Sequence, residues 1–484
     1  MNRMESASYA RGASGRAPRV AAAGTGGRLT RAPGTIALPA SVYWTGAPTL
    51  AVVLLYVIAV RLHELLPVLH YLRPALLSAA VALVLVMTRS TGAPLENAFR
   101  DTSYRIALAY VAWAGVTVPF ALWRGGAIAG MQAIVPDLLL MLAILLCAPT
   151  RTNVSKLTTA FTLGVAAFAM VPLVLGTQNT EGRLEAAGSS FDTNDMAALM
   201  AMAFPFAVHG AMQRRGWMRF LYLGAALVTL LAIVQTGSRG GTLAVCAGAL
   251  VLVMGLKGSR RFLVLALFVL AGFGAWQFGP KTFRERMESL TTIDQDYNET
   301  DFFGRKQIWK RGRMFYFENP VVGVGLGNFG VADGAYIKSI GRTGKWSAPH
   351  NAWIQAFAEL GTLGGVLFTA LLLVAGRRAY ALWRASGPTH APAYLASLAA
   401  FCAGAYFLSF AFFHAMFALV AMIAVAWHTA QAPADELAYV TGGPTPPGAV
   451  APRGSGWRSI ASARRFTLPG VRDARRGRRR DGGS

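Results

Sequence analysis

A histidine stands where a long polar loop meets a hydrophobic segment of the chain. His350 follows Pro349, and because proline suits the beginning of a helix, we expect His350 at the start of a membrane helix. At that position the positive end of the helix dipole disfavours imidazolium, so a neutral imidazole could take a proton from an attacking hydroxyl. The alternative is a histidine that caps the helix and hydrogen-bonds a loop carbonyl.

Two arginines could supply charges to the same chemistry. Arg239 lies in a glycine-rich turn, Gln-Thr-Gly-Ser-Arg-Gly-Gly at 235–241, between two apolar segments. A cation at membrane level needs a partner or a wet cavity, and a guanidinium matches a diphosphate as a planar fork. The flanking glycines would let backbone N–H groups approach an anion. The alternatives are snorkelling to lipid headgroups for Arg239 and an exposed interfacial charge for Arg305. A base beside fixed cations suits a reaction on a lipid-linked diphosphate.

Other polar residues near these segments have plainer interpretations. We expect Asp192 or Asp195 to cap the following helix, although either could orient a base or an acceptor sugar. A carboxylate at Glu359, inside an apolar segment, needs a partner, and we expect it to support the site. The glycine-rich segment 323–329 follows no strand of a βαβ unit, so it predicts a tight loop and not a nucleotide site.

The composition is that of an integral membrane protein. The chain has 484 residues, of which 54% are hydrophobic and 14% charged, whereas soluble domains carry about 25% charged residues. The formal net charge of +24 is not spread evenly, and the arginine-containing tails at the two ends are expected to stay cytoplasmic next to anionic lipid. No nucleic-acid-binding fold surrounds the C-terminal arginines, so no nucleic-acid partner is expected. The three cysteines lie in apolar runs without a CxxC pattern, so neither a disulfide nor a metal site is expected.

The apolar runs predict an all-α protein with about twelve transmembrane helices. Each run approaches the length of about 17 to 25 residues that a bilayer crossing requires. The predicted spans are 46–61, 74–88, 103–123, 130–148, 158–176, 196–212, 220–236, 241–256, 262–278, 351–375, 392–409 and 412–429. Basic residues are enriched in alternate loops, which places both termini in the cytoplasm. The predicted parts are a basic tail 1–45, spans 46–279, a periplasmic loop 280–350, spans 351–430 and an arginine-rich tail 431–484.

The loop 280–350 is much longer than the other connections, and loops of such length are usually functional. Within it, 302–318 reads as an amphipathic helix on the outer membrane–water boundary. Its polar side is expected to carry five basic residues: Arg305, Lys306, Lys310, Arg311 and Arg313.

Several short motifs, taken in order, make the chain resemble the O-antigen ligase and polymerase superfamily of bacterial envelope glycosyltransferases. The likeness covers about residues 46 to 430. The motifs are Phe191-Asp192-Thr193-Asn194-Asp195, Gly237-Ser238-Arg239-Gly240-Gly241, Gly304-Arg305 with Trp309, Asn319-Pro320 before Gly323-Val324-Gly325, and His350-Asn351 with Glu359-Leu360-Gly361. Each motif is weak alone, but their order around a long loop is fairly specific.

The resemblance implies a fold related to membrane-embedded glycosyltransferases that use lipid-linked sugars. It implies a glycan donor on undecaprenyl diphosphate, presented on the periplasmic face of the inner membrane, and no cofactor. In that family the residue at the His350 position is taken as the base, and those at the Arg239 and Arg305 positions are taken to hold the diphosphate. We assign Arg183 to the same anion site, and Asn351, Glu359, Asp192 and Trp309 to supporting positions.

The acceptor is left open by the sequence. It could be lipid A-core, which would make the protein a ligase, a growing polysaccharide, which would make it a polymerase, or a protein side chain. A secondary transporter or flippase is the alternative from another class. Against transport, the sequence has no evident internal repeat, and its charge is concentrated in a loop and not at mid-membrane.

Overall fold

The computed structural model describes residues 93–147, 151–185, 192–291, 301–343, 346–385 and 391–431. The N-terminal tail, the first two predicted spans and residues 432–484 lie outside these ranges. Within them the chain forms helices and no strand; the only pairing of strand type is an isolated bridge between Gln178 and Leu184. The all-helical prediction is therefore confirmed for the described part of the chain.

The helices follow the predicted spans closely. In chain order they are α1 Ala93–Arg100, α2 Thr102–Thr117, α3 Arg124–Cys147, α4 Arg151–Leu175, α5 Thr193–Gln213, α6 Trp217–Thr236, α7 Arg239–Gly255, α8 Ser259–Phe278, α9 Lys281–Glu288, α10 Arg305–Glu318, α11 Phe329–Ser339, α12 Ala352–Arg384, α13 Ala391–Ala405 and α14 His414–Gln431. A short 3₁₀ turn, Val118–Phe120, follows α2.

Seven of these helices are long and apolar enough to cross a membrane: α3, α4, α5, α6, α8, α12 and α14. The helices α7 and α13 are apolar but shorter. The structure therefore supports fewer spans among the described residues than the ten predicted there. The other three predicted spans coincide with α2, α7 and α13, which have only 16, 17 and 15 residues.

The central helix of the bundle is α5. It packs against α4, α6, α7 and α13, and most of its length is buried. Alanines make this close packing possible, because small side chains allow helix backbones to approach, as in other membrane bundles. By contrast, α8 is almost wholly exposed along its apolar length, as expected for a helix that faces lipid.

One end of the bundle is closed by a buried ionic cluster. Asp101 caps α2, and its Oδ2 lies 2.8 Å from both Arg378 of α12 and His428 of α14. Burial alone would raise the pKa of Asp101, but the hydrogen bond from His428 and the charge of Arg378 hold that pKa well below its ordinary value. The cluster fixes the ends of three helices relative to one another. We call this the closed end.

The other end carries the long segment 279–350, and α12 is bent to receive it. Gly361 interrupts the helix with φ of 66°, and a Cβ there would lie 2.1 Å from the carbonyl oxygen of Val321. The bend frees helix carbonyls, so that Ala358 and Glu359 accept hydrogen bonds from the backbone of Val324 and Gly325 at 2.9 Å. The glycine-rich segment is thus a tight loop, as predicted, held on a kinked helix.

Candidate functional site

A cavity of about 640 Å³ opens at the end of the bundle that carries segment 279–350. Its walls come from the hairpin before α5, the start of α7, and the long segment up to α12. The lining residues are Glu181, Arg183, Asn194, Arg239, Arg286, Phe303, Gly304, Arg305, Ile308, Trp346, Ser347, Ala348 and His350. The structure thus brings together the four residues that the sequence assigns to base and diphosphate binding: His350, Arg239, Arg305 and Arg183.

Arg183 is held rigidly in the wall of the cavity. Its Nε donates to the carbonyl oxygen of Thr236 at 2.7 Å, and its terminal nitrogen donates to Asn194 Oδ1 at 2.9 Å. Burial and, second, the neighbouring charge of Arg286 lower the pKa of Arg183, which Glu181 partly opposes. A guanidinium so desolvated gains from an anionic ligand, because a charge taken out of water needs a partner.

Arg239 is the first residue of α7 and is 8% exposed. Ser238 caps the helix by accepting from the N–H of Gly241, and the Ser238 hydroxyl donates to Asn194 Oδ1 at 2.9 Å. Asn194 therefore joins the supports of both arginines. The predicted approach of glycine N–H groups to an anion is wrong for Gly241, because its N–H donates to Ser238 Oγ. Gly241 instead allows close helix packing, since a Cβ added there would lie 2.4 Å from the Cβ of Ala197.

Arg286 and Glu181 complete the charged wall, although no site role is predicted for either residue from the sequence. Arg286 belongs to α9, and its NH1 lies 3.4 Å from Glu181, which is also 3.5 Å from Arg183. The run of basic residues directly after α8 is the sequence feature from which Arg286 could have been predicted as a cavity residue. Asn194 lies within the motif 191–195, in which the sequence predicts roles only for the two aspartates.

Arg305 is the first residue of α10, and it lines the cavity together with Ile308 of the same helix. The amphipathic helix is present as predicted, but the placement of Arg311 on its exposed polar side is wrong. Arg311 is buried and forms a bidentate ion pair with Asp333 of α11. It also donates to the carbonyl oxygen of Phe302 at 2.9 Å. The pair locks α10 to α11, because a buried guanidinium requires a compensating charge.

His350 directly precedes the N-cap of α12, at the start of the helix as the sequence predicts. Asn351 is the N-cap, accepting from Ile354 N, and His350 has a φ of 48°, a left-handed conformation that is uncommon for residues other than glycine. The N–H of His350 donates to Ser409 Oγ at 3.0 Å, and Asn351 donates to the carbonyl oxygen of Tyr406. The turn between α13 and α14 thus holds a strained backbone, of the kind that concentrates at functional sites.

The residues that the sequence assigns to supporting positions do not line the cavity. Asp192 caps α5, as predicted, through Asn194 N and Asp195 N. Glu359 is 2% exposed and accepts from the N–H groups of Gly327 and Phe329. The ring of Trp309 packs edge-on against Tyr406, with centroids 5.4 Å apart. These contacts fix the elements that carry the lining residues.

We expect Asp333→Ala to loosen the wall that carries His350. The substitution leaves Arg311 buried without its carboxylate, a change that typically costs about 3–5 kcal/mol. It also removes the acceptor of Ser347 N, 3.3 Å away and three residues before His350. Faster limited proteolysis and faster amide exchange between residues 301 and 347 should follow, with Asp333→Asn showing a smaller effect because it keeps an acceptor oxygen. Unchanged protection in Asp333→Ala would contradict this role.

The arrangement has the chemical parts for transfer from a diphosphate. Four guanidinium groups and one carboxylate face the same space as an imidazole. Fixed cations stabilise charge that develops on a leaving group without needing to reorganise. The ring of Phe303 and the side chain of Ile308 provide an apolar part of the same wall.

Comparison with protein families supports this assignment over part of the chain. Residues 223–369 match the family model described as O-Antigen ligase. The match runs from α6 into α12 and therefore includes Arg239, Arg286, Arg305 and His350, while Arg183 precedes it. No curated protein matches the chain significantly. The match and the seven candidate spans together indicate a multi-pass membrane protein.

Proposed function

We propose that the protein transfers a glycan from undecaprenyl diphosphate to an acceptor hydroxyl. The match of residues 223–369 to the O-Antigen ligase family model, whose members are typically membrane glycosyltransferases, supports this proposal. We assign it the role of an O-antigen ligase, with lipid A-core as the acceptor. The observation that carries the proposal is the convergence of His350 with Arg183, Arg239, Arg286 and Arg305 on one cavity.

In the proposed reaction, His350 accepts the proton of the acceptor hydroxyl as its oxygen attacks the anomeric carbon of the donor sugar. The bond from that carbon to the diphosphate oxygen breaks, and undecaprenyl diphosphate leaves with the bonding electrons. Arginines of the cavity hold the increased charge on the leaving group. Attack from the face opposite the leaving group inverts the anomeric centre. Metal-independent transfer is part of this proposal.

We propose that the cavity faces the periplasm of a bacterial inner membrane and that both termini are cytoplasmic. Basic residues of the predicted inner loops support this orientation. Arg214 and Arg261, for example, cluster at the closed end, where they bond Ser155 and the carbonyl oxygen at the end of α7. An excess of Lys and Arg marks the cytoplasmic side of membrane proteins.

Purified protein in detergent tests the proposal directly. We expect transfer of glycan from undecaprenyl diphosphate to lipid A-core with no ion gradient present, since the reaction needs only donor, acceptor and the cavity. Absence of transfer, with gradient-dependent movement of the lipid-linked glycan in vesicles, would favour a flippase.

A deletion strain separates the two main acceptors. Loss of long-chain lipopolysaccharide, with finished polymer still on the carrier lipid, is the result expected for a ligase. Accumulation of single repeat units would instead identify a polymerase, and loss of glycan from proteins would identify a protein O-oligosaccharyltransferase.

A further inference from the structure

We propose that Glu181 is a built-in competitor for the diphosphate: its carboxylate occupies part of the anion site in the empty cavity and must swing out when the donor binds. This role deepens the function proposed above and rests on it. Glu181 is the one carboxylate among the described residues that line the cavity, and four arginines line the same cavity.

The position of the carboxylate is that of a bridging anion. Glu181 Oε2 lies 3.5 Å from NH1 of Arg183 and 3.4 Å from NH1 of Arg286. The two arginines belong to different elements, the hairpin before α5 and helix α9. A phosphate oxygen that bridged Arg183 and Arg286 would need the space that Glu181 Oε2 occupies, because both oxygens would accept from the same N–H groups.

Arg183 and Glu181 differ in exposure and in how they are hydrogen-bonded, and this difference indicates that the carboxylate is the group that moves. Arg183 has a side chain only 7% exposed and is fixed by Thr236 and Asn194. The side chain of Glu181 is 60% exposed, and both its contacts are long. An exposed carboxylate with contacts of this length is weakly held, since such pairs contribute little.

The backbone beneath Glu181 would not have to move. Asn179 Oδ1 accepts from the N–H groups of Glu181 and Arg183, both at 3.0 Å, and Gly182 adopts a φ of 70° within the turn. The hairpin is also tied to α6, because Leu184 N donates to the carbonyl oxygen of Gln235. Rotation of the Glu181 side chain alone therefore empties the site, which leaves the arginines in place for the incoming anion.

Such a competitor lowers affinity without changing the transition state. The Glu181 carboxylate neutralises part of the arginine charge when the cavity is empty. The free energy needed to displace it reduces the net binding free energy of the diphosphate. Removing its charge should therefore strengthen anion binding and lower the KM for the donor, with little change in kcat. A glutamate that merely positions Arg183 and Arg286 would show the opposite, since its loss would weaken binding.

The test is binding of inorganic pyrophosphate to the full-length protein in detergent, measured by calorimetry. We expect Glu181→Gln to bind about fivefold more tightly than the unaltered protein, the scale of one partly exposed ion pair. Glu185→Gln is the matched control: it removes the same charge from the same hairpin at a residue outside the cavity lining, and should bind like the unaltered protein. Glu181→Ala should show the same tightening if Glu181→Gln proves unstable.

Two results would overturn the role of Glu181: equal or weaker binding in Glu181→Gln and Glu181→Ala, or equal tightening in Glu185→Gln. Failure of the proposed function gives a different pattern. In that case the unaltered protein would not bind pyrophosphate, or Arg239→Ala would bind it as strongly as the unaltered protein does.

Discussion

Transfer of glycan is expected to fall by about 10²–10⁴-fold in His350→Ala, the range contributed by a positioned general base. The imidazole lines the cavity beside the arginines and is the only histidine among the described lining residues. His350→Gln should be equally inactive, because an amide can hydrogen-bond the hydroxyl but cannot take its proton. The rate should be measured with purified protein, lipid-linked donor and saturating acceptor.

Binding and folding must be measured on the same variants. The thermal midpoint and pyrophosphate affinity of His350→Gln should match those of the unaltered protein, because the anion is held by the arginines. Replacement of His350 by glycine would relax the positive φ and still abolish transfer, which separates backbone strain from proton transfer. A His350→Ala protein that assembles full-length glycan in cells would refute His350 as the base.

The positions of the spans can be predicted from the sequence because the apolar runs are long and the residues that cap the helices lie next to them in the chain. Asp192 illustrates the point, since an aspartate directly before an apolar run predicts a helix start. The sequence also predicts that Arg239, Arg305 and His350 lie on the same side of the membrane, because successive spans cross it in opposite directions. The sequence does not predict how the described parts of segment 279–350 pack against these three residues.

Two residues show why that part could not be predicted. Arg311 is predicted to be exposed because a charged residue fits the polar side of an amphipathic pattern. Its ion-pair partner, Asp333, lies 22 residues later in another helix. Arg286 and Glu181 are 105 residues apart and meet only when α9 folds beside the hairpin. Pairs of this kind depend on tertiary contacts that neither periodicity nor local motifs contain.

The N-terminal end of α12 shows a third limit. The sequence predicts His350 at the start of α12, but it does not predict which elements hold the residue there. In the structure Asn351 is the cap, and the turn at Tyr406 and Ser409 holds His350. The backbone of His350 is therefore held by a contact between residues more than fifty positions apart.

Donor binding is expected to weaken by about a hundredfold in Arg239→Ala, within the range of 2–5 kcal/mol lost when one partner of a buried charge pair is removed. Arg239→Lys should retain only part of the affinity, because a lysine keeps the charge but lacks the planar fork that engages two phosphate oxygens. Arg313→Ala is the matched control, since it removes an exposed arginine of α10 that does not line the cavity. The measurements are pyrophosphate affinity and the KM for the lipid-linked donor. Full activity in both Arg239 variants would reject the diphosphate role, whereas equal losses in Arg239→Ala and Arg313→Ala would reduce it to a general effect of net charge.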